Sequence, residues 1–115
     1  MVKLLIKIGD KSIEVVLDNA VCPYTINALL RKRTFSAIIV NMPYGVLMQT
    51  GVISGYEKAK ASFKPGELAF DPKGSWLIVF KIENEYLGKA NPLGHIPLGD
   101  INKFSGAKDA VLEFK

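Results

Sequence analysis

Apolar residues in the first part of the chain recur at every second position, and this period constrains the fold more than any other feature. The segment "VKLLIKI" has this pattern, and "SIEVVL" repeats it after the turn sequence "GDK". The apolar residues of the shared face are Val2, Leu4, Ile6, Ile8, Ile13, Val15 and Leu17. Alternation of this kind is typical of strands that are buried on one face. The two segments therefore predict a β-hairpin.

One segment has the period of a helix instead. In "CPYTINALLRKR", Ile26, Leu29 and Leu30 are spaced to form one apolar stripe. Pro23 suits the first helical turn, where its missing N–H has no helical partner. The basic run "RKR" favours a helix C-terminus, because cations stabilise the carbonyl end of the helix dipole. This is the single helix that the sequence predicts.

The remainder of the chain predicts mostly strands. "TFSAIIVN" and "GVLMQTGVISGYE" are expected as strands, the second with a bend at its glycines, and "KAKASFK" as a polar connection. "PGELAFDPKGSWLIVFKI" predicts two strands around a tight "DPKG" turn, and "DAVLEFK" a last strand. One helix with seven or eight short strands favours a mainly β fold, a small closed or nearly closed β-barrel. We expect a single domain over residues 1–115.

The segment 88–106 stands apart, since it has glycines, prolines and no clear period. Connections of this length without regular structure are uncommon and often functional. It contains His95, the only histidine. We expect the prolines to stiffen the segment and His95 to point towards Gln49 and Trp76. The alternative is a loop that only closes the barrel and exposes His95 to water.

The composition excludes several classes of function. A metal site needs several ligands brought together, and the chain has one His and one Cys, so we predict no metal and no cofactor. The sequence has no phosphate-binding or dinucleotide-binding motif. It has no secretion signal and no apolar run of membrane-spanning length, so we expect a cytoplasmic protein that does not contact the membrane.

Gln49 and Trp76 are candidate site residues because of where they occur. Gln49 lies in an otherwise apolar strand, where a buried amide needs partners or lines a wet pocket. Trp76 is expected in the middle of the most apolar strand, where core packing is the alternative to a ligand contact.

The order of "GVLMQTG", "PKGSWLIVF" and "LGKANPLGHIPLGDINKF" resembles the second half of a cyclophilin. The short length and single helix are similar to the minimal cyclophilin-like family of bacteria and archaea, a small barrel of unassigned function. Cyclophilins are peptidyl-prolyl isomerases that bind an extended X-Pro peptide on one face of the barrel. The resemblance implies that Gln49 and His95 line such a groove, with Phe80 on its wall.

Two departures from the cyclophilin pattern bear on activity. The catalytic arginine of that family stabilises the twisted amide, and Ala37 or Ile38 stands at its position in "FSAIIVNMP". Trp76 stands where the family has a second groove glutamine, which makes the expected groove more apolar. Whether the chain is an enzyme is left open by these departures.

Three functional hypotheses follow, and in each the oligomeric state is undetermined. The first is a binding module that holds a peptide or small molecule in a shallow apolar groove formed by Gln49, Trp76, Phe80 and His95. The alternative is a prolyl isomerase with a rearranged site. The third and least supported is a nucleic-acid accessory protein, suggested by the formal net charge of +4 and the "RKR" run.

Overall fold

Eight antiparallel strands close into a barrel in the computed structural model. The model describes residues 2–18 and 20–115, with only the backbone described at 84 and 87. The strands are β1 (Val2–Ile8), β2 (Lys11–Leu17), β3 (Thr34–Asn41), β4 (Gly45–Gln49), β5 (Lys60–Phe63), β6 (Glu67–Asp71), β7 (Trp76–Phe80), β8 (Asn84–His95) and β9 (Asp109–Phe114). The helix α1 spans Pro23–Lys32, and a 3₁₀ helix spans Leu98–Phe104. The predicted mainly β barrel with one α-helix is confirmed.

The strand order around the barrel is β2-β1-β9-β3-β4-β7-β6-β8, and β8 closes the ring by pairing with β2. The predicted hairpin is β1–β2, in which Val2 pairs with Leu17 and Ile8 with Lys11. β5 lies outside the ring and pairs with the first half of β8. Inward-facing residues of the ring strands fill the barrel, and α1 and the 3₁₀ helix add Ile26, Leu29 and Phe104 to the same core.

Helix α1 obtains its N-terminal cap from a distant part of the chain. Cys22 stands at the cap position, and its side chain makes no capping hydrogen bond. The carboxylate of Glu57 accepts the N–H groups of Tyr24 at 3.1 Å and Thr25 at 2.6 Å. Burial raises the pKa of Glu57, but these bonds outweigh it and hold the pKa below its usual range. The loop between β4 and β5 is therefore fastened to the start of the helix.

Buried polar atoms join the same helix and loop. The amide of Asn91, which is fully buried, donates to the Thr25 hydroxyl at 3.0 Å and to the Gly55 carbonyl at 2.9 Å. Cys22 is also buried, its Sγ lies 3.2 Å from the Pro92 carbonyl, and burial raises the pKa of the thiol to about 11. No helix among the described residues is long and apolar enough to span a membrane.

Three expectations for the local structure are wrong. The segment 88–106 is not an irregular loop, because it contains the second half of β8 and the 3₁₀ helix. The glycine at 94 lies where β2 and β8 meet, and a Cβ there would be 2.8 Å from the Val16 carbonyl. "KAKASFK" is not only a connection, because it forms β5, and the strand after Gly45 ends at Gln49 instead of continuing through the glycines.

Candidate binding site

Strand β7 has apolar side chains on both faces. Leu77 and Val79 point into the barrel core, whereas Trp76, Ile78 and Phe80 point outward and belong to a second apolar cluster. A strand that is apolar on both faces needs cover on its outer side or leaves a surface that attracts a ligand. This cluster, which we call the exterior cluster, has both a covered part and an uncovered part.

The covered part lies beneath β5 and residues 84–90 of β8, which we call the arm. Phe63 of β5 stacks on Phe80 with ring centroids 4.4 Å apart and an angle of 6° between the planes. Tyr86 of β8 contacts Phe80 edge-on, with 6.0 Å between centroids. Phe63 and Phe80 are almost fully buried, so this end of the cluster is closed.

Polar contacts hold the arm against the barrel. The Tyr86 hydroxyl donates to Asp71 Oδ2 at 2.5 Å, and Lys60 Nζ donates to Glu67 Oε2 at 2.9 Å. Burial, followed by the hydrogen bond and charge of Asp71, raises the pKa of Tyr86 above its usual range. Burial and Asp71 also raise the pKa of Tyr44, which packs beside Tyr86. The Tyr86 hydroxyl therefore keeps its proton, and its hydrogen bond to Asp71, to a higher pH than a free phenol.

The uncovered part extends from β7 across β4 to β3. We call the outward-facing residues there the apolar patch: Ile38, Val40, Leu47, Gln49 and Trp76. Gln49 pairs with Trp76 and Leu47 with Ile78 between β4 and β7. Val40 pairs with Leu47 between β3 and β4, and Ile38 lies just beyond the last pair of these two strands, Ile39 with Met48. Ile38 is 65% exposed and Val40 37%, whereas Leu47 between β3 and β7 is only 8% exposed. The patch is thus a shallow apolar surface with a buried floor.

The polar end of the apolar patch has a fixed geometry. Gln49 Nε2 donates to the Gly74 carbonyl at 2.7 Å. Gly74 has a φ of +100°, and a Cβ at that position would lie 2.9 Å from the Trp76 indole. A side chain at 74 would be strained and would displace the indole. The DPKG turn therefore orients Gln49 and supports the half-buried Trp76.

The structure separates His95 from the two residues expected beside it. His95 pairs with Glu67 at the start of β6, whereas Trp76 pairs with Asp71 at its end. Four residues of strand correspond to about 13 Å. His95 lines a different cavity of about 250 Å³ with Lys60 and Glu67. A single groove that contains His95, Gln49 and Trp76 is therefore not formed.

Phe80 also differs from the expectation, because its ring is fully buried between Phe63 and the tyrosines instead of lining an open wall. What Gln49, Trp76 and His95 bind stays a prediction. Sequence reasoning missed Ile38, Val40 and Leu47. The signal was present in "TFSAIIVN", where Ala37 and Ile39 alternate inward and Ile38 and Val40 are apolar as well. Apolar residues on both faces of a strand indicate a second contact surface.

No protein-family model matches the chain, and no curated protein is significantly similar to it in sequence. The fold resembles the solution structure of the hypothetical protein AF2241 from Archaeoglobus fulgidus, with a TM-score of 0.74 and 18% identity over 98% of this chain and 92% of that one. It also resembles McbB in a structure with tryptophan, with a TM-score of 0.71 and 12% identity over 96% of this chain. The match covers 44% of McbB, so this chain spans less than half of that protein. At these identities the likeness concerns the fold of the small closed barrel.

Proposed function

We propose that this protein is a binding module that holds an extended peptide or a small apolar molecule on the apolar patch. The observation that carries the proposal is the exposure of Ile38 and Val40 on β3, which is separated by β4 alone from β7 and its half-buried Trp76. Most exposed apolar residues occur singly and need no explanation, but contiguous patches mark binding surfaces. Here the exposed residues continue a buried apolar cluster across three strands.

The chemistry of the apolar patch suits a ligand that is largely apolar with a few polar groups. Ile38, Val40 and Leu47 offer apolar contact, and the Trp76 ring adds a large rigid surface. Gln49 Nε2 is already bonded to Gly74, so its carbonyl oxygen is the atom oriented for a ligand donor. An extended peptide meets these requirements, because its N–H groups are donors and its side chains are spaced like those of a strand.

Similarities to two other kinds of protein also support this proposal. The motifs that resemble cyclophilins include Gln49 and the strand of Trp76, and cyclophilins bind X-Pro peptides on one face of their barrel. McbB, whose barrel is similar, has been solved with tryptophan. Proline peptides and free tryptophan are therefore the first ligands to test, in a protein that we propose acts in the cytoplasm.

Trp76 is the only tryptophan in the chain, so its fluorescence reports on the apolar patch directly. We expect a saturable change in emission when a succinyl-Ala-Ala-Pro-Phe peptide is added, and calorimetry replaces fluorescence when the ligand is tryptophan. Ile38→Ser should weaken the binding about tenfold by removing exposed apolar contact area. The control is Val16→Ser, which removes a similarly exposed β-branched residue from β2 outside the apolar patch.

Binding that is unaffected by Ile38→Ser, or weakened equally by Val16→Ser, would contradict the proposed location. Failure of both ligands to bind at millimolar concentration would remove the peptide and tryptophan proposals.

Prolyl isomerisation is the alternative activity for the same surface. Both arginines of the chain, Arg31 and Arg33, lie at the end of α1, and Ile38 presents an alkyl group outward where a guanidinium would be needed. Ala37, the other candidate for the arginine position, is also apolar, so we expect no turnover above background in a protease-coupled assay. Turnover that falls in Gln49→Ala or in His95→Ala would favour the enzyme instead.

A further inference from the structure

A second concave site lies at the C-terminal end of α1, and none of its lining residues belongs to the apolar patch. The C-terminal turn of α1 and the end of β9 enclose an open cavity of about 650 Å³. Its lining consists of Asn27, Leu30, Arg31, Arg33, Phe114 and Lys115. This volume lies within the range of small-molecule sites, which is about 300–1,000 Å³. Three of the six lining residues carry a positive charge, so the cavity attracts anions.

The two arginines have their guanidinium groups available. Among the described residues, neither Arg31 nor Arg33 forms an ion pair with a carboxylate. Lys32, which stands between them in sequence, is directed elsewhere: its Nζ donates to the Thr50 carbonyl and lies 4.6 Å from the centre of the Phe35 ring. The three residues of the basic run therefore have different surroundings: the arginines line the cavity, and the lysine contacts Thr50 and Phe35.

Arg33 is held at the cavity by a strained backbone. Its φ is 60° and its ψ is −88°, a combination that residues with side chains rarely adopt. The conformation is fixed on both sides, because the Arg33 N–H donates to the Leu30 carbonyl at 3.1 Å and its carbonyl accepts the Phe114 N–H at 2.8 Å. Glycine is the usual residue at such a helix end. An arginine kept at this position at a cost in backbone energy indicates a use for its side chain.

We propose that this cavity binds a small organic anion through the forked guanidinium groups of Arg31 and Arg33. Guanidinium groups bind phosphate and carboxylate oxygens in pairs, and either group meets the chemistry of the site. Leu30 and Phe114 supply the apolar part of the lining, so a phosphate carried on an organic body, such as a nucleoside phosphate, fits better than a bare ion. The proposal does not depend on the function of the apolar patch.

Two groups near the cavity oppose an anion. The carbonyl groups at the end of α1 carry partial negative charge. Glu113 is bonded to Lys115 at 2.8 Å and to Lys7 at 3.3 Å, so Lys115 contributes less than a free ammonium. The two arginines therefore carry most of the attraction, and their removal should have the largest effect.

The test is calorimetric titration of the whole protein with inorganic phosphate, ADP and citrate at low ionic strength. We expect saturable binding that weakens as salt is added. The double variant Arg31→Gln, Arg33→Gln should lose about tenfold or more in affinity, because charge-assisted hydrogen bonds are lost. Lys32→Gln is the control from the same run: it removes one positive charge, against two in the double variant, and should change the affinity by less than about twofold.

The three ligands show which chemical class of anion the cavity prefers. Tighter binding of ADP than of phosphate or citrate identifies a nucleotide site, and tighter citrate binding identifies a carboxylate site. Either result supports the proposal if the double arginine variant no longer binds the preferred ligand. Arg33→Gly keeps the backbone conformation without strain, so loss of binding in this variant with an unchanged or raised melting temperature shows that the side chain, and not the fold, is responsible.

Three outcomes would overturn the proposal. The first is no saturable binding of any of the three anions. The second is a loss of binding free energy in Lys32→Gln that reaches half of the loss in the double variant, because an equal loss per charge removed would show general charge attraction only. The third is length-dependent binding of a single-stranded oligonucleotide in which Arg31 and Arg33 matter no more than Lys32, which would indicate a nucleic-acid surface instead of a small-molecule site.

Discussion

The two apolar clusters of this protein differ in how they are closed. The barrel core is surrounded by hydrogen-bonded strands and covered at its ends by α1 and the 3₁₀ helix, and its members are nearly all shielded from water. The exterior cluster is covered by the arm at Phe80 but continues to the half-exposed Trp76 and the exposed Ile38. A cluster closed on all sides has no room for a ligand, whereas one with an open margin presents apolar surface that binding can bury.

The largest expected effect comes from the closed cluster. Leu112→Ala in β9 should reduce the free energy of unfolding by about 2–5 kcal/mol, because the fully buried leucine leaves a cavity that its neighbours cannot fill. Leu47→Ala in the exterior cluster should cost clearly less, since the open side allows relaxation. Urea denaturation of both variants measures the difference, and equal costs would show that the exterior cluster is as rigidly packed as the core.

The next effect concerns the bond that holds the arm. Tyr86→Phe should reduce the free energy of unfolding by about 1–3 kcal/mol, because Oδ2 of the buried Asp71 loses the hydroxyl that donates to it. The raised pKa of Tyr86 gives stability that is present below pH 10 and lost as the pH rises through the folded-state pKa. The variant should therefore be less sensitive than the wild type to pH above 10 in thermal denaturation. Parallel alkaline curves would show that Tyr86 does not hold the arm.

A smaller effect is expected in acid, at the other attachment of the arm. Burial raises the pKa of Glu67, but the Lys60 ammonium, the Lys64 N–H and the charge of His95 lower it to a net value below 4.5. A lowered folded-state pKa gives stability that is present above pH 4.5 and lost as the pH falls through it. Glu67→Gln should remove this part of the acid dependence, measured as the urea midpoint between pH 6 and pH 3.

The control for this measurement is Asp10→Asn in the exposed turn between β1 and β2. It should retain the acid loss of the wild type. A Glu67→Gln curve identical to that of the wild type would show that the ion pair with Lys60 does not stabilise the arm.

The smallest effect is expected at the open margin. Ile38→Ser should change the free energy of unfolding by less than about 0.5 kcal/mol, because the side chain is already mostly in water. The same variant is expected to weaken ligand binding, and this contrast separates a binding role from a packing role. A loss of stability as large as that of Leu47→Ala would show that Ile38 packs as part of the fold.

The sequence predicted the elements whose pattern is local. The β1–β2 hairpin, α1, β3, β6, β7 and β9 each have their own period or turn, and these expectations hold. β8 was missed because its pairing is with distant strands and because Pro92 and Gly94 interrupt its pattern. The register shifts beside Pro92, where a missing N–H costs little, and Gly94 allows close approach to β2. Residues that indicate a loop in isolation here mark the closure of the barrel.

The candidate site was predictable only in part, for the same reason. Gln49 and Trp76 were identified as unusual residues in apolar strands, and the register of β4 and β7 places them opposite each other. The distance of His95 from both depends on how β8 pairs with β6, which no local pattern specifies. The cover over Phe80 depends on the arm, and its strand β5 has too few apolar residues for the sequence to predict a strand there.

The cap that Glu57 provides to α1 ties the timing of helix formation to the rest of the chain. A ten-residue helix is marginal by itself, and here the cap is supplied from 33 positions further along, with the amide of Asn91 further still. The helix is therefore expected to become stable only after β4 and the following loop are in place. In native-state hydrogen exchange, the amides of α1, with Tyr24 among them, and the amide of Glu57 should open together as one cooperative unit, although Glu57 is far from the helix in sequence.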